Sequence, residues 1–243
     1  MGDLILTPNQ YDRFLEGTWL TVQVLGYSFV LGIVLSLLFG VARLSEREWV
    51  RGAALVYVEF ARGISSIVLL FIIGLAVPIL LDVGQAPLVL LASIALGLNM
   101  GGYGAEIVRG AIEAIPRGQT EATIALNLSP TQRLRHVILP QAMRIILPPM
   151  GNLTIEILKG TALISLLGAP DLLQQVFNLR QTTLAGDAPV SLSVLLFNAL
   201  IIYFILAQVI NAGFRYAERR LEARYEPRQP DIAGTPETAG AGG

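Results

Sequence analysis

Two charged side chains, Glu156 and Lys159, stand inside an otherwise apolar stretch of the chain. Three residues apart on a helix, they would share one face. Charges at membrane depth are costly and usually face the interior of a helix bundle or a watery cavity. Two roles therefore fit the pair. It contacts a zwitterionic solute near the middle of the membrane, or it is an internal ion pair that positions its own helix.

The residues around this pair do not indicate a catalytic site. The chain contains no cysteine and one histidine, which disfavours a thiol nucleophile and a cysteine or histidine metal centre. No histidine, cysteine or aspartate lies near Glu156 and Lys159 in the sequence, which counts against a membrane enzyme. The single lysine follows Leu158, so the chain lacks the Gly-Lys-Ser/Thr of a P-loop. We expect no catalytic residue, no metal site and no cofactor in this chain.

Residues 121–140, called the hairpin below, have the pattern of two short helices joined by a tight turn. The first helix is predicted at 119–126, and Asn127 falls where it must turn; asparagine tolerates the left-handed conformation that a helix end needs. Ser129–Gln132 fits a capping box with proline at the first helical position. Pro140 is expected to end or kink the second helix. Such a hairpin could pack against its own protein, against lipid headgroups or against a partner.

Membrane spans are the elements that would position these groups. Hydrophobic residues make up 53% of the 243 residues and charged residues 14%, which is the composition of a membrane protein. Five stretches can cross roughly 30 Å of hydrocarbon as helices. They are 19–42, 65–81 extended backwards by 57–63, 87–104 extended to 108, 145–167, and 190–214. The fourth is interrupted by two prolines and the two charges. The predicted fold class is an all-α polytopic membrane protein.

Basic residues divide unevenly between the two sides of these spans. Of the 17 lysines and arginines, 14 fall on one side, Arg13 and Arg180 fall on the other, and Lys159 lies within span four. Cytoplasmic segments carry the excess of basic residues. We therefore expect the N-terminus outside, the C-terminus inside and the hairpin in the cytoplasm.

Both ends of the chain are polar. We expect no signal peptide, because the first 18 residues lack a basic region and lead into a span too long for a signal's apolar core. The chain is divided into an extracytoplasmic segment at 1–18, a transmembrane domain at 19–215 with a cytoplasmic loop at 113–145, and a cytoplasmic tail at 216–243. The tail is expected to be largely disordered.

Several other polar or small residues carry weaker expectations. Gly97 and Gly101 are spaced for close helix packing, and Asn99, at a similar depth, is a candidate for the solute pathway. Glu59 and Arg62 are expected to pair or to act as separate interfacial anchors. Asp171 is expected in a solvated outer loop.

The hairpin resembles the EAA loop of ABC-transporter permeases: Glu-Ala-Ala, three residues, Gly, nine residues, Ile, one residue, Leu-Pro. Glu121, Ala122, Leu139 and Pro140 match at that spacing, whereas Thr123, Asn127 and Val137 replace the second Ala, the Gly and the Ile. Residues 103–122 and 147–159 also resemble the polar amino acid (His/Glu/Gln/Arg/opine) branch of these permeases. The chain is identified by this resemblance as a binding-protein-dependent transport component.

The resemblance implies a type I importer permease in the bacterial inner membrane. Its hairpin would dock on cytoplasmic ATPase subunits, two being expected, which use ATP and Mg. A second permease subunit, identical or homologous, and an extracytoplasmic solute-binding protein are implied; membrane lipid surrounds the spans, and nucleic acid has no role. The implied ATPase-coupling residues are Glu121, Ala122, Asn127, Ser129, Arg133, Arg135 and Pro140. The candidate pathway residues are Asn99, Glu156, Lys159 and Thr161.

The resemblance leaves the solute open between two kinds of zwitterion. The branch implies a polar amino acid. Residues 62–65 and 159–163 also resemble permeases for compatible solutes such as ectoine or hydroxyectoine. A secondary transporter, the more remote alternative, should show inverted repeats, and the sequence shows none.

Overall fold

The computed structural model describes residues 7–82, 87–184 and 191–225. Within these ranges the chain forms helices and turns and no strand, which confirms the predicted all-α fold. The α-helices are α1 (Pro8–Ala42), α2 (Glu48–Gly63), α3 (Ser66–Phe71), α4 (Val77–Leu80), α5 (Leu88–Glu113), α6 (Arg117–Ala125), α7 (Pro130–Arg133), α8 (Leu139–Thr161), α9 (Leu172–Leu184) and α10 (Leu192–Tyr225). Short π-helical segments at Ile72–Ala76 and Leu134–Ile138 and a 3₁₀ segment at Ala162–Leu167 connect some of them.

Four helical stretches in the described ranges are long and apolar enough to cross a membrane. They are α1, α5, α10 and the continuous helical stretch that contains α8. The pair α2 and α3–α4 passes the same test only when taken together, and it is bent by 101°. Four of the five predicted spans are therefore whole helices, and the predicted second span corresponds to this bent pair.

Helix α1 begins earlier than the predicted boundary at residue 19. Pro8 occupies its first turn, where its missing N–H removes no hydrogen bond, and the Thr7 N–H donates to Gln10 Oε1 at 2.9 Å. The first turns of α1 bury Phe14 and Gly17. The helix therefore includes residues 8–18 of the predicted extracytoplasmic segment, whose position outside the membrane stays a prediction, and residues 1–6 lie outside the described ranges.

Helix α10 also extends past its prediction. It runs to Tyr225, so residues 216–225 are helical where a largely disordered tail was predicted to begin. Arginine, glutamate, leucine and alanine fill this stretch, and all are good helix formers. The rest of the predicted tail, 226–243, lies outside the described residues.

Helices α1 and α5 run parallel and pack closely through glycine, as the Gly-x-x-x-Gly spacing predicted. A Cβ at Gly97 would lie 2.9 Å from Leu31, and one at Gly101 would lie 2.6 Å from Leu35. On α1, Gly40 leaves equivalent room for Val108. Each contact pairs a residue of α5 with one about 66 to 68 positions earlier, so the two helices point the same way along the bundle.

Helices α8 and α10 run antiparallel. Gly151 packs on the Phe214 ring, where an added Cβ would lie 3.0 Å from the ring, while Lys159 lies in a groove with Phe197. As a result α1, α5 and α10 all end, and α8 begins, at the end of the bundle that carries the hairpin. We call this the hairpin end.

The second span does not continue from 57–63 into 65–81 as predicted. Helix α2 ends at Gly63, Ile64 and Ser65 adopt extended conformations with ψ of 140° and 133°, and α3 restarts at Ser66. Two extended residues are enough to redirect the chain, which accounts for the bend. A hydropathy pattern cannot show this, because both halves of the broken span are apolar.

Pro140 neither ends nor kinks its helix sharply, contrary to the prediction. The backbone first widens into a π-helical turn at Leu134–Ile138, in which the Leu139 N–H donates to the Leu134 carbonyl, and α8 then continues through Pro140. In a regular α-helix the proline ring would clash with the carbonyl four residues earlier. The wider turn relieves that clash, so the hairpin's second helix is continuous with span four.

Helix α9 lies at the opposite end of the bundle from the hairpin and is fixed there by Asp171. This carboxylate accepts the N–H groups of Gln174 at 3.0 Å and Leu173 at 3.3 Å, and the Leu172 N–H donates to Thr21 Oγ1 on α1 at 3.3 Å. Asp171 is fully buried, so the predicted solvated loop position is wrong.

Candidate functional site

The turn of the hairpin has the geometry of a Schellman motif. Asn127 has a φ of 56°, the left-handed conformation predicted for it. The Leu128 N–H donates to the Thr123 carbonyl at 3.0 Å, and the Asn127 N–H donates to the Ile124 carbonyl at 2.8 Å. These two bonds satisfy the last carbonyls of α6, so the turn is fixed by its own backbone.

The predicted capping box begins the second helix. Ser129 Oγ accepts the Gln132 N–H at 3.3 Å, and Gln132 Oε1 accepts the Ser129 N–H at 2.9 Å. A side-chain bond between Gln141 and Gln119 at 3.2 Å then joins the two legs of the hairpin. The turn, the cap and this cross-link make the hairpin a defined unit rather than a loose loop.

The hairpin divides into an inner and an outer surface. Thr123 is the one buried residue of α6, and its hydroxyl donates to the Thr120 carbonyl at 2.7 Å, so its polar group has a partner. On the outer surface Ile124 is 56% exposed and Leu126 is 73% exposed, beside exposed Glu121 and Ala122. An apolar patch rimmed by polar residues is typical of a surface that binds another protein.

A polar groove of about 440 Å³ opens between α2, α5 and α8. Its walls combine charged, amide and aromatic side chains with apolar ones: Arg62, Tyr103, Glu106, Ile107, Pro149, Asn152, Leu153 and Glu156. We call it the polar groove. Of the four predicted pathway residues, only Glu156 lines it.

Both signs of charge are present in the polar groove. The Arg62 guanidinium lies 5.7 Å from the centre of the Tyr103 ring, and the Tyr103 hydroxyl donates to the Arg62 carbonyl at 3.2 Å. Arg62 also approaches Glu59 at 3.9 Å, the pairing that was one of two expectations for these residues. The carboxylates of Glu106 and exposed Glu156 supply the negative charge.

Glu106 joins the polar groove to a charge cluster at the hairpin end of α5. It accepts a hydrogen bond from Arg109 Nε at 2.9 Å and lies 3.9 Å from Arg43 at the end of α1. Arg109 also bonds Glu113, the last residue of α5. One chain of contacts therefore leads from the groove wall to the segment that enters the hairpin.

Glu156 and Lys159 form no ion pair in the described part of the chain. Lys159 lines a separate, mainly apolar groove of about 560 Å³ with side chains of α10 such as Phe197 and Tyr203. Although they are three residues apart on α8, the two charged side chains line different grooves. The internal ion pair that was one of the two expectations is absent, and only Glu156 is placed near other groups that could bind a solute.

Asn99 and Thr161 lie outside the polar groove. Asn99 is 5% exposed, donates to the Ala61 carbonyl at 2.8 Å and accepts from Ser66 Oγ at 3.0 Å. Thr161 is fully buried and donates to the Leu158 carbonyl at 2.7 Å. With their polar atoms used inside the bundle, neither lines the polar groove, and their role in a solute pathway stays a prediction.

Sequence reasoning missed four polar residues of this site: Arg62, Tyr103, Glu106 and Asn152. Asn152 lies four residues before Glu156 on α8, so the two share a helix face, whereas Arg62, Tyr103 and Glu106 belong to α2 and α5, and only the packing of the helices brings them to Glu156. A signal was present, however. Tyr103, Glu106 and Asn152 fall in the stretches that resemble the amino acid permeases.

The described fold and the hairpin now define the class of protein. The family model of the binding-protein-dependent transport system inner membrane component matches residues 32–223. The chain belongs to this family and is a multi-pass inner membrane permease subunit, which excludes the secondary transporter considered from sequence.

Individual relatives within this family are named as amino acid permeases. The chain is 39% identical over 211 residues to a probable amino-acid ABC transporter permease protein, y4tF, of Sinorhizobium fredii (strain NBRC 101917 / NGR234), covering 84% of each chain. It is 33% identical to the glutamine transport system permease protein GlnP of Escherichia coli (strain K12), covering 86% of this chain and 92% of that one. Both are permeases, as the resemblance implied.

Solved structures share the fold. A crystal structure of an amino acid ABC transporter with histidines superposes with a TM-score of 0.76 at 27% identity, covering 86% of this chain and 94% of the other. The inward-facing MetNI methionine ABC transporter, at 21% identity, superposes with a TM-score of 0.73. The type I importer permease fold is therefore confirmed.

Proposed function

We propose that this chain is the permease subunit of an ATP-driven importer for a polar amino acid. The observation that carries the proposal is the polar groove, where Arg62 faces Glu106 and Glu156 across α2, α5 and α8. An amino acid at neutral pH has one carboxylate and one ammonium group. Arg62 would bind the carboxylate, and Glu156, which has no ion-pair partner among the described residues, would bind the ammonium group.

The relatives support this solute class. Similar permeases are named for the transport of amino acids, glutamine, arginine, cystine and nopaline. None of these names refers to ectoine or hydroxyectoine, and the alternative rests on the short resemblances at 62–65 and 159–163. We favour an amino acid.

The hairpin would transmit the motion of the ATPase. It exposes the apolar pair Ile124 and Leu126 as well as the charged residues Glu121 and Arg135. The second helix continues without a break into α8, which carries Glu156. A push on the hairpin would therefore move a wall of the polar groove as a rigid body.

The energy would come from outside this chain. Two ATPase subunits would bind ATP and Mg, an extracytoplasmic protein would deliver the solute, and a second permease subunit, identical or homologous, would complete the pathway. This chain would perform no catalysis. Its hairpin would face the cytoplasm, in agreement with the distribution of its arginines.

The solute site is tested by removing one charge at a time. In native cells that carry the full transport system, Glu156→Gln should raise the KM for uptake of radiolabelled amino acids about tenfold or more, because a hydrogen bond to a charged group contributes roughly 1.5–3 kcal/mol. Lys159→Met, which removes a charge from the other groove, is the matched control and should leave KM unchanged. Equal KM values for Glu156→Gln and the unmodified protein would exclude the site.

The hairpin is tested separately at its turn. Asn127→Pro should abolish uptake and co-purification of the ATPase while the protein still inserts, because proline cannot adopt a positive φ. Glu121→Ala should reduce uptake without changing solute affinity. Asn127→Gly, which keeps the turn, is the control and should retain uptake. Normal uptake by Asn127→Pro would remove the hairpin from the mechanism.

A further inference from the structure

An apolar groove of about 510 Å³ lies between α1, α8 and α10, on a different face of the bundle from the polar groove. Its lining is Val22, Leu25, Gly26, Phe29, Leu147, Thr154, Ile210, Gly213, Phe214 and Ala217. We call it the acyl groove. Gly26 and Gly213 face open space, since a Cβ at either position would meet no atom within 4 Å.

The acyl groove offers nothing to a polar occupant. Its single polar side chain, Thr154, donates to the Met150 carbonyl at 2.8 Å and so already has a partner. Water in a protein cavity needs two to four polar partners, and a polar solute needs partners of its own. The occupant must therefore be a hydrocarbon.

Positive charge lies at the hairpin end of this groove. On α10 the groove face runs from Ile210 through Gly213 and Phe214 to Ala217 and continues to Arg220, which lies about 4.5 Å further along at 1.5 Å per residue. The Arg220 guanidinium lies 4.9 Å from the centre of the Tyr216 ring, on the same helix.

Three arginines near the end of α10 have no carboxylate partner among the described residues. None of Arg215, Arg219 and Arg220 forms an ion pair with a carboxylate of the described ranges. Glu218 and Glu222 share the helix, yet arginines outnumber glutamates along 215–224 by four to two. Near a membrane surface, each basic residue contributes about 1 kcal/mol to the binding of anionic lipid.

From this combination we propose that an anionic phospholipid of the leaflet at the hairpin end binds here. One acyl chain would fill the acyl groove, and the phosphate would contact Arg220 and Arg219. A neutral, zwitterionic phospholipid would supply the chain without the net charge, so the arginines would select the anionic one. The lipid would hold α1 and α10 at a fixed separation against α8. The proposal is independent of which solute is transported.

Native mass spectrometry of the full-length chain tests the site. The protein is purified in mild detergent and offered phosphatidylglycerol or phosphatidylcholine. We expect phosphatidylglycerol to be retained at least about fivefold more strongly, as about 1 kcal/mol of charge contact implies. Gly213→Phe should abolish this retention, because the ring enters space that is open in the structure. Ala212→Phe, at the exposed neighbouring position of α10, is the matched control and should retain it.

The headgroup contact is tested with a second pair of variants. Arg220→Gln should reduce phosphatidylglycerol retention about fivefold, whereas Arg47→Gln, the same charge change at the same end of the bundle, should not. Ala217→Leu serves in place of Gly213→Phe if the latter does not fold. Equal retention of the two lipids, or unchanged retention by the groove variants, would overturn the proposal. So would a shift from dimer to monomer in Gly213→Phe with lipid retention unchanged, which would make the groove an interface between copies.

Discussion

Asp171 is a residue whose ionisation the fold changes strongly. Loss of water on burial raises the pKa of Asp171 to about 6, although hydrogen bonds from Gln174 and Leu173 oppose the change. The Asp171 carboxylate nevertheless has a structural role, because it caps the start of α9 beside the contact of that helix with α1. Burial thus favours the protonated form of Asp171, whereas the capping hydrogen bonds favour the ionised form.

The raised pKa of Asp171 predicts that the free energy of unfolding decreases as the pH rises from about 4 to about 6. Between about pH 4 and pH 6 the unfolded chain loses the Asp171 proton while the folded protein keeps it, so the unfolded state gains. The loss is on the order of 3 kcal/mol for a shift of about two pKa units. Asp171→Asn, which can still cap α9, should remove this contribution. The measurement is the unfolding temperature of both proteins in detergent at each pH from 4 to 7. If the unfolding temperature depends on pH in the same way in both proteins, the prediction is contradicted.

Single residues were predictable where their partners are close in sequence. The left-handed Asn127 and the Ser129–Gln132 box depend on neighbours one to four positions away, and the structure has both. Asn99 was a pathway candidate because of its depth in the span, and its hydrogen bond to the Ala61 carbonyl, 38 positions away, was not predictable from local spacing. Local hydrogen bonds follow from residue type and spacing, whereas distant ones depend on which helices meet.

At the scale of elements, α5 holds the broken second span in place. Four hydrogen bonds cross from one to the other: Tyr57 to the Leu98 carbonyl, Asn99 to the Ala61 carbonyl, Tyr103 to the Arg62 carbonyl, and the Ser66 hydroxyl to Asn99 Oδ1. Gly102 allows this approach, since a Cβ there would lie 2.6 Å from Ala61 Cβ. The bend that brings Arg62 to the polar groove is therefore held by side chains of a neighbouring helix.

Asn99→Ala should weaken this element pairing. The Ala61 carbonyl would lose its donor and Ser66 its acceptor, at a cost of about 1–3 kcal/mol for a buried group left without a partner. Asn198→Ala is the control, because Asn198 donates at 2.9 Å to Val194 on its own helix. Unfolding temperatures in detergent compare the two variants. An equal loss in both would show that Asn99 does not hold the bend.

Proline is accommodated in the same way twice in this chain. The π-helical turns at Ile72–Ala76 and Leu134–Ile138 each end two residues before a proline, Pro78 and Pro140. In each case the wider turn precedes the residue that a regular helix would exclude. The prediction that Pro140 ends or kinks the helix treated proline as a breaker and did not consider this adjustment, which depends on the packing that keeps the helix straight.

At the scale of the whole molecule, the polar groove and the acyl groove lie on different faces of the bundle. The polar groove lies among α2, α5 and α8, and the acyl groove lies among α1, α8 and α10. Helix α8 forms a wall of both and continues into the hairpin. Any movement of the hairpin would therefore act on a helix that lines both the polar groove and the acyl groove.

The amino-acid sequence by itself determined that the chain crosses a membrane through helices, that basic residues gather at one end, and that the hairpin has its turn and its cap. These properties follow from hydropathy, charge and residue types within a few positions of one another. Only the tertiary structure decided that α2 and α3 meet at 101°, that Glu156 and Lys159 face different grooves, and that Arg62, Glu106 and Glu156 line one groove. Those relations join residues of separate helices, and the packing of glycine faces and buried amides that sets them has no counterpart in local spacing.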